Sequence, residues 1–248
     1  MTIRPGDEWG VPTESAPDLI VVGSDGDLSR ALKAWPHPTP LLSFLPNTKS
    51  DLARSIGLTP SAGAFQNHSE KVGERLEVED GGAGETKIGS RIAAPIDAIE
   101  YRFAGNKYLA MNAIEIGTSP LTLRASTRSK LVTVTVDGRK IFTGPATGIL
   151  IANGQFIGAA NLVPRGHPGD GRLEVHIYSL NAGERSAMRR RLATGTHLPH
   201  PRIKTASGAS IRVEIIAGAW PIKADSETAG RAGRIEIEVL SPAARLLL

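Results

Sequence analysis

Apolar runs near the start of the chain are short, and polar or glycine-rich stretches separate them. Leu19 to Val22 is wholly apolar, which is typical of a strand buried on both faces of a parallel sheet. Leu28 to Ala34 has helical spacing, Leu41 to Leu45 is a second apolar run, and Asp51 to Ile56 predicts another short helix. Two strand–helix units in succession predict parallel strands whose following loops meet at one sheet edge, where open α/β sheets bind ligands.

The period of the pattern changes near residue 92. Val132, Val134 and Val136 alternate with threonines, which indicates a half-buried strand, and Asp137-Gly138 predicts a tight hairpin after it. Closely spaced strands with short turns are typical of an antiparallel β-sandwich. The other predicted elements are strands at Ile96–Phe103, Tyr108–Ile116, Leu121–Arg124, Leu131–Val136, Ile211–Ile216 and Ile235–Val239, and a helix at Ala182–Ala193.

These patterns predict an α+β protein with two domains of unequal size. Residues 1–17 are expected to form a flexible arm, and residues 18–62 a small α/β domain with a parallel sheet. Residues 63–91 are polar and glycine-rich, which predicts a linker with one short strand at Arg75 to Val78. Residues 92–240 are expected to form the larger antiparallel β-sandwich.

Composition narrows the class of protein. The 248 residues are 40% hydrophobic and 22% charged, which is typical of a soluble globular chain. The absence of cysteine excludes disulfides, thiolate metal sites and cysteine nucleophiles, and it fits a cytoplasmic location. The net charge of +4 is too small to require nucleic acid, and we expect no such partner. Neither an apolar signal core nor a stretch long enough to span a membrane is evident.

The segment from Asp18 to Asp27 carries the first candidate chemistry. A strand, a glycine-containing loop and a helix, in this order, place backbone N–H groups and a helix N-terminus where they can bind phosphate. Gly23 and Gly26 are the glycines of this loop, and Asp25 between them could hold a divalent cation or position a water. An ordinary turn capped by Asp or Ser is the alternative that this segment leaves open.

Two motifs in this part of the chain resemble the catalytic domain of diacylglycerol kinases and related bacterial lipid kinases. That family has one strand ending in GGDGT and a later strand ending in P-x-G-T-x-N-D-x-A-R, followed by a short G-[IL]-P. The segments here are VVGSDGDLSRAL and LLSFLPNTKSDLARSIGLTP, with one residue deleted in the second motif. The matching residues are Gly23, Asp25, Gly26, Pro46, Thr48, Asp51, Ala53, Arg54 and Gly57.

Residues 148–180, GILIANGQFIGAANLVPRGHPGDGRLEVHIYSL, resemble the same family more closely. The family has a strand ending in A-N-G, then a glycine-rich turn, an apolar-x-P segment and D-G-x-L-[DE]-V leading a strand. The resemblance continues through a helix to GTHLPHP. The matching residues are Ala152, Asn153, Gly154, Gly158, Pro164, Asp170, Gly171, Leu173, Glu174 and Val175.

The last matching segments lie near the C-terminus. AWPIKADSETAG resembles the family's strand that ends in D-G-E, with Asp225 and Glu227 matching and Ser226 standing in place of the glycine. SPAARLLL, at 241–248, resembles the family's last strand, which returns to the first domain.

The resemblance implies ATP-dependent phosphorylation of the hydroxyl of a diacylglycerol-type or related lipid, with ATP and Mg²⁺ as cofactors. It makes residues 18–62 a truncated nucleotide-binding domain and residues 92–240 the substrate domain. Glu227 would be the base that removes the hydroxyl proton, and Asp25 would be catalytic by arranging the metal ion. The implied nucleotide-binding residues are Gly23, Ser24, Gly26, Asp27 and Thr48, and the implied substrate-cleft residues are Asn153, Gly154 and Asp225.

The partners implied are a lipid or another small molecule. The run Arg189, Arg190 and Arg191 could contact anionic lipid at a membrane surface, and a solvated helix face is the alternative. Whether the protein forms a homo-oligomer stays open.

The departures from the family pattern favour a second interpretation. Asp27 replaces the threonine of GGDGT, and a carboxylate about 4 Å from a phosphate costs about 4 kcal/mol near a protein surface, which is about a thousandfold in affinity. We hypothesise that Lys49 faces Asp27 and offsets this charge. Only seventeen residues precede the first strand, so the family's upstream units are expected to be missing or supplied by another chain. The alternative is therefore a catalytically degenerate relative that binds a lipid, a metabolite or a partner.

Overall fold

The computed structural model describes residues 18–35, 39–58, 93–158 and 160–247. The predicted arm at 1–17 and the whole predicted linker at 63–91, with its short strand at Arg75 to Val78, lie outside the described residues. No helix of the described ranges is long and apolar enough to cross a membrane.

The first lobe consists of two strand–helix units. These are β1 (Leu19–Gly23), α1 (Asp25–Ala34), β2 (Leu41–Pro46) and α2 (Asp51–Ser55). β1 and β2 pair in parallel, with Gly23 opposite Pro46, so the loops that follow both strands meet at one sheet edge as predicted. α2 ends before Gly57, whose φ of +76° is the left-handed conformation that glycine adopts at a helix C-terminus.

α1 begins at Asp25, three residues before the predicted start at Leu28. Ser24 is the N-cap, and Asp27 completes a capping box with it: the Ser24 N–H and hydroxyl both donate to the Asp27 carboxylate at 2.8 Å. Asp25 and Gly26 therefore lie in the first helical turn and not in a loop. The capping box is the physical reason for this early start, because it satisfies N–H groups that would otherwise have no partner.

The remaining elements form the sandwich and its cover. α3 spans Arg185–Ala193, and short 3₁₀ turns occupy Pro120–Thr122 and Ala182–Glu184. The strands are β3 (Ala93–Phe103), β4 (Asn106–Ala110), β5 (Ala113–Gly117), β6 (Lys130–Val136), β7 (Arg139–Ala146), β8 (Gly148–Ala152), β9 (Phe156–Ile157), β10 (Ala160–Asn161), β11 (Leu173–Tyr178), β12 (Ile203–Gly208), β13 (Ser210–Ile215), β14 (Trp220–Ala224), β15 (Glu227–Ala232) and β16 (Arg234–Leu247).

Two sheets pack face to face and enclose the main hydrophobic core. One sheet has the order β1-β2-β16-β13-β6-β7, with β3 also paired to β16 and β4 to β3, and the other has the order β12-β11-β8-β5-β14-β15. Val134, Val213 and Ile237 of the first sheet share a core with Ile149, Val175 and Ile222 of the second. This arrangement confirms the predicted α+β fold with a large antiparallel sandwich and a small parallel α/β region.

α3 covers the outer face of the second sheet. Met188 and Leu192 pack there with Leu150 and Tyr178 in a separate core. On the other side of this helix, Arg189, Arg190 and Arg191 are exposed to solvent.

Three predicted strands differ from the observed ones. The run Tyr108 to Ile116 is interrupted at Met111 and Asn112, which separate β4 from β5. The predicted strand Leu121 to Arg124 is wrong, because Pro120 begins a 3₁₀ turn there. Leu123, which follows this turn, is fully buried. The predicted strand Ile235 to Val239 is the first part of a longer strand, β16.

β16 belongs to both lobes. Its first part pairs with β13 and β3 in the sandwich, and its last part pairs with β3 and, through Arg245 and Leu246, in parallel with β2. The register shifts between Leu240 and Ala244, at the boundary between these parts. The end of β16 thus lies beside β2 in the first lobe.

Candidate functional site

Asp25 joins the two strand–helix units of the first lobe. One oxygen of its carboxylate accepts a hydrogen bond from the Ser50 hydroxyl, and the other accepts the backbone N–H groups of Asp51 and Leu52, each at 3.1 Å. Its side chain is buried, with 5% of the residue exposed. Asp25 therefore caps the N-terminus of α2, where a negative charge is favoured by the helix dipole.

The electrostatics of Asp25 bring in a residue from the sandwich. Burial, and then the negative charge of Asp225, raise the pKa of Asp25 to about 7, and the hydrogen bonds from Ser50 and Leu52 only partly oppose this rise. Asp25 therefore titrates near neutral pH. The carboxylates of the two lobes are close enough to influence each other.

Asp225 is held by three consecutive backbone N–H groups. Met111, Asn112 and Ala113 donate to its carboxylate at 2.7, 2.8 and 3.1 Å, so the interruption between β4 and β5 forms an anchor for this side chain. Burial raises the pKa of Asp225, and the three N–H groups oppose the rise. Asp225 and Ser226 have φ of +48° and +69° and form the two-residue turn between β14 and β15.

Glu227 follows this turn and faces α1. Both of its oxygens accept hydrogen bonds at 2.8 Å from Nη1 of Arg30, and Nη2 of Arg30 donates to Asp27 at 2.7 Å. The side chain of Glu227 is 59% exposed and that of Arg30 is 44% exposed. An ion pair between side chains this exposed contributes typically 0.2–1 kcal/mol, or about 0.5.

Gly26 and Gly23 allow the close packing of this corner. A Cβ atom on Gly26 would lie 2.9 Å from Oε1 of Glu227, so the glutamate rests directly on the first turn of α1. Gly23 has a φ of +142°, and a Cβ there would lie 2.3 Å from Oδ2 of Asp27. The structure thus brings Asp25, Glu227 and the turn after β1 together across the cleft between the lobes.

The hypothesis that Lys49 faces Asp27 is wrong. Ser24 N–H and hydroxyl groups and the Arg30 guanidinium hold the pKa of Asp27 below its ordinary value. Within the described ranges no ion pair joins Lys49 to Asp27, and the backbone N–H of Lys49 donates to the side chain of Asn47 at 2.9 Å. Arg30 takes the role because it lies one turn further along the same helix as Asp27. Thr48 is exposed at the tip of the turn after β2.

Asn153 and Gly154 are buried beneath the cleft and are not exposed within it. Asn153 is fully buried, and its amide donates to the carbonyls of Asp97 and Met111 at 2.8 and 2.9 Å. A Cβ on Gly154 would lie 2.3 Å from Oδ1 of Asn112. Of the three residues predicted for the substrate cleft, only Asp225 lies beside the exposed glutamate.

The residues present do not form a ready ligand set for Mg²⁺. Both oxygens of Asp25 already accept hydrogen bonds, and Asp27 and Glu227 are paired with Arg30. Among the described residues there is no group of three or more His, Cys, Asp or Glu side chains that could hold a metal ion. The metal role of Asp25 stays a prediction that its hydrogen bonds do not support.

Sequence reasoning missed two parts of this site. Arg30 could have been noticed because it follows Asp27 by three residues where a helix is predicted to start, and this is the spacing of an ion pair on a helix. The backbone donors at Met111 to Ala113 gave no such signal, because Asn112 is a single polar residue in an otherwise apolar run from Leu109 to Ile114. Tyr101 also lies near Asp225. Burial, and then the charge of Asp225, raise the pKa of the Tyr101 hydroxyl.

Comparison with known proteins identifies the family. Residues 90–247, more than half of the chain, match the family model of the YegS C-terminal NAD kinase beta sandwich-like domain. The chain belongs to this family. In this YegS-type chain the matched region covers the sandwich, from just before β3 to the end of β16, and the carboxylates Asp225 and Glu227 lie within it. No curated protein sequence matches the chain.

Solved structures extend the likeness to the first lobe of this YegS-family protein. A diacylglycerol kinase from Bacillus anthracis str. Sterne has a TM-score of 0.64 and 18% identity, over 92% of this chain and 75% of that chain. A second protein from the same strain, provisionally described as a diacylglycerol kinase, has a TM-score of 0.67 and 18% identity, over 92% and 76%. At this identity the likeness establishes a shared fold.

Proposed function

We propose that this protein is a phosphotransferase that moves the terminal phosphoryl group of ATP to the hydroxyl of a diacylglycerol-type or related lipid. The observation that carries the proposal is the position of Glu227. It is an exposed carboxylate that rests on the first turn of α1, next to the turn after β1, while belonging to the sandwich. A base on one side of a cleft and a phosphate-binding helix N-terminus on the other are the arrangement that phosphoryl transfer needs.

Glu227 would act in the proton-transfer step of the reaction. Its carboxylate accepts the proton of the lipid hydroxyl, the hydroxyl oxygen forms a bond to the γ-phosphorus, and the bond from that phosphorus to the β–γ bridging oxygen breaks to release ADP. Gly23 and Gly26 would hold phosphate at the start of α1, and Thr48 lies on the neighbouring turn. Ser24 would join them by turning its N–H or hydroxyl from Asp27 to the phosphate. The carboxylates of Asp25 and Glu227 are already engaged in hydrogen bonds, so neither is a free ligand for Mg²⁺.

A second candidate is a binding module without catalysis. The specific observation in its favour is that Arg30 already occupies both oxygens of Glu227, while three donors occupy Asp25. In this case the cleft would bind a lipid, a metabolite or a partner and would release no ADP.

Release of ADP distinguishes the two candidates. Diacylglycerol in mixed micelles, ATP and Mg²⁺ are supplied to the wild-type chain, to Glu227→Gln and to Glu236→Gln. The control alters another exposed glutamate that also pairs with an arginine, but on β16. We expect loss of about 10²-fold or more of the rate in Glu227→Gln, since general-base catalysis contributes typically that much, and no loss in the control. No binding of ATP at millimolar concentration by the wild type would favour the binding module.

A further inference from the structure

Arg30 bridges two carboxylates that come from different lobes. Its guanidinium donates from Nη1 to both oxygens of Glu227 at 2.8 Å and from Nη2 to Asp27 at 2.7 Å. Among the described residues, no other lysine or arginine forms an ion pair with either carboxylate. One positive charge therefore stands between two negative ones at the mouth of the cleft.

The bridge to Glu227 is accessible and easily exchanged. The side chains of Arg30 and Glu227 are 44% and 59% exposed, and ion pairs in contact with water are weak. Asp27 is different, because its side chain is only 18% exposed and Ser24 also holds it. A guanidinium group that is anchored on one side by Asp27 can release Glu227 and keep its position on α1.

The guanidinium group lies over the helix start to which the proposed function assigns phosphate. A Cβ on Gly26 would be 2.9 Å from Oε1 of Glu227 and 3.6 Å from Nη1 of Arg30, so the pair lies over the first turn of α1. The planar donors of arginine match two oxygens of a phosphate, as they match two of a carboxylate. A phosphate that approaches this helix start would therefore compete with Glu227 for the same donors.

We propose that Arg30 is a phosphate-binding residue that exchanges Glu227 for a phosphate of the nucleotide. The inference rests on the proposed function. In the free protein Arg30 is paired with Glu227, the proposed base. With nucleotide bound, its Nη1 donates to phosphate and both oxygens of Glu227 become free to accept the proton of the substrate.

Two other roles for Arg30 predict different results. A purely structural arginine would tie the lobes together and leave phosphate affinity unchanged when removed. A counterion for Asp27 would matter only while the Asp27 charge is present.

Calorimetric titration of the full chain with ATP separates these roles. The variants are Arg30→Ala, Arg30→Lys, Asp27→Asn and the double variant, with Arg234→Ala as the control, because Arg234 also pairs with an exposed glutamate but on β16. Thermal unfolding verifies that each variant is folded. We expect Arg30→Ala to weaken ATP binding about 10- to 100-fold, the loss typical of a hydrogen bond to a charged group, and Arg30→Lys to weaken it less.

The double variant and a chemical rescue complete the test. Arg30→Ala should weaken binding in the Asp27→Asn background as well, and millimolar guanidinium ion should restore part of the affinity of Arg30→Ala. Unchanged ATP affinity in Arg30→Ala would overturn the inference and leave the proposed function intact. A loss that disappears in the Asp27→Asn background would assign Arg30 as a counterion and also overturn it. Absence of ATP binding by the wild type would overturn the proposed function and this inference with it.

Discussion

At the scale of single residues, the turn between β14 and β15 is the most constrained part of the site. Asp225 and Ser226 both have positive φ, a conformation that costs residues with a side chain about 1–2 kcal/mol. Asp225 is compensated by the three backbone N–H groups that its carboxylate accepts. Ser226 is exposed and stands where the related motif has glycine.

Replacement of this serine by glycine should stabilise the protein. Ser226→Gly removes the side chain that disfavours a φ of +69°, and we expect the free energy of unfolding in urea to rise by roughly 0.5–1 kcal/mol. Ser186→Gly is the matched control, since that exposed serine lies in α3, where glycine should lower stability by about 0.5–1 kcal/mol. A lower urea midpoint for Ser226→Gly would contradict the assignment of strain to this turn.

The sequence was sufficient to predict the carboxylates but not their partners. Asp25 and Glu227 were found because their motifs keep the acidic residue type at each position. The bond between Arg30 and Glu227 joins residues 197 positions apart, and no local spacing encodes such a contact. Asn153 was misplaced for the same reason: its motif was visible, but its complete burial depends on Asp97 and Met111.

At the scale of elements, the start of α1 determines what the site can hold. The predicted loop of two glycines is a strand end followed directly by a capped helix, because Ser24 and Asp27 form a capping box. Helical spacing was visible from Leu28 onward, whereas the first turn has two aspartates and a glycine, residues that also occur in loops. The interruption between β4 and β5 was hidden for another reason, because Asn112 is a single polar residue in an otherwise apolar run from Leu109 to Ile114.

The two glycines near α1 should respond differently to substitution by alanine. Gly26 has helical geometry, and the nearest atoms to a Cβ there belong to the flexible end of Glu227. Gly26→Ala should therefore raise the free energy of unfolding by up to about 1 kcal/mol. The same change should displace Glu227 and lower the rate of ADP release. Gly23→Ala should lower stability by about 1–3 kcal/mol, because φ is +142° and Asp27 is too close. Urea unfolding and the ADP assay measure both effects. Equal stability losses in the two variants would contradict the geometry.

At the scale of the whole molecule, two buried groups have pKa values that are shifted in opposite directions. Burial, and then the neighbouring His197, lower the pKa of His176 to about 4, whereas burial and Asp225 raise the pKa of Asp25 to about 7. Between pH 4 and 6.5 the unfolded chain protonates His176 and the folded chain does not, so this group makes stability rise with pH. Between pH 4 and 7 the folded chain keeps a proton on Asp25 that the unfolded chain releases, so this group makes stability fall with pH.

The wild type should therefore show a flatter pH profile than either single variant. His176→Leu removes a rising contribution of roughly 3 kcal/mol, and its free energy of unfolding should fall more steeply from pH 4 to 7 than that of the wild type. Asp25→Asn removes a falling contribution of roughly 4 kcal/mol, and its profile should rise. Urea midpoints measured at half-unit steps of pH give the slopes. Parallel profiles for all three proteins would contradict these shifts.

The strand shared by the lobes has a consequence for how the protein is made. On a ribosome, β1 and β2 emerge before the sandwich, but the parallel partner of Leu41 and Leu42 is Arg245 and Leu246, about 200 residues later. The lobe that is synthesised before the sandwich is thus completed after it, and such distant pairing is formed slowly. During translation the apolar face of β1 and β2 stays without the end of β16, its neighbour in the sheet. This is the stage at which a growing chain would most need a chaperone.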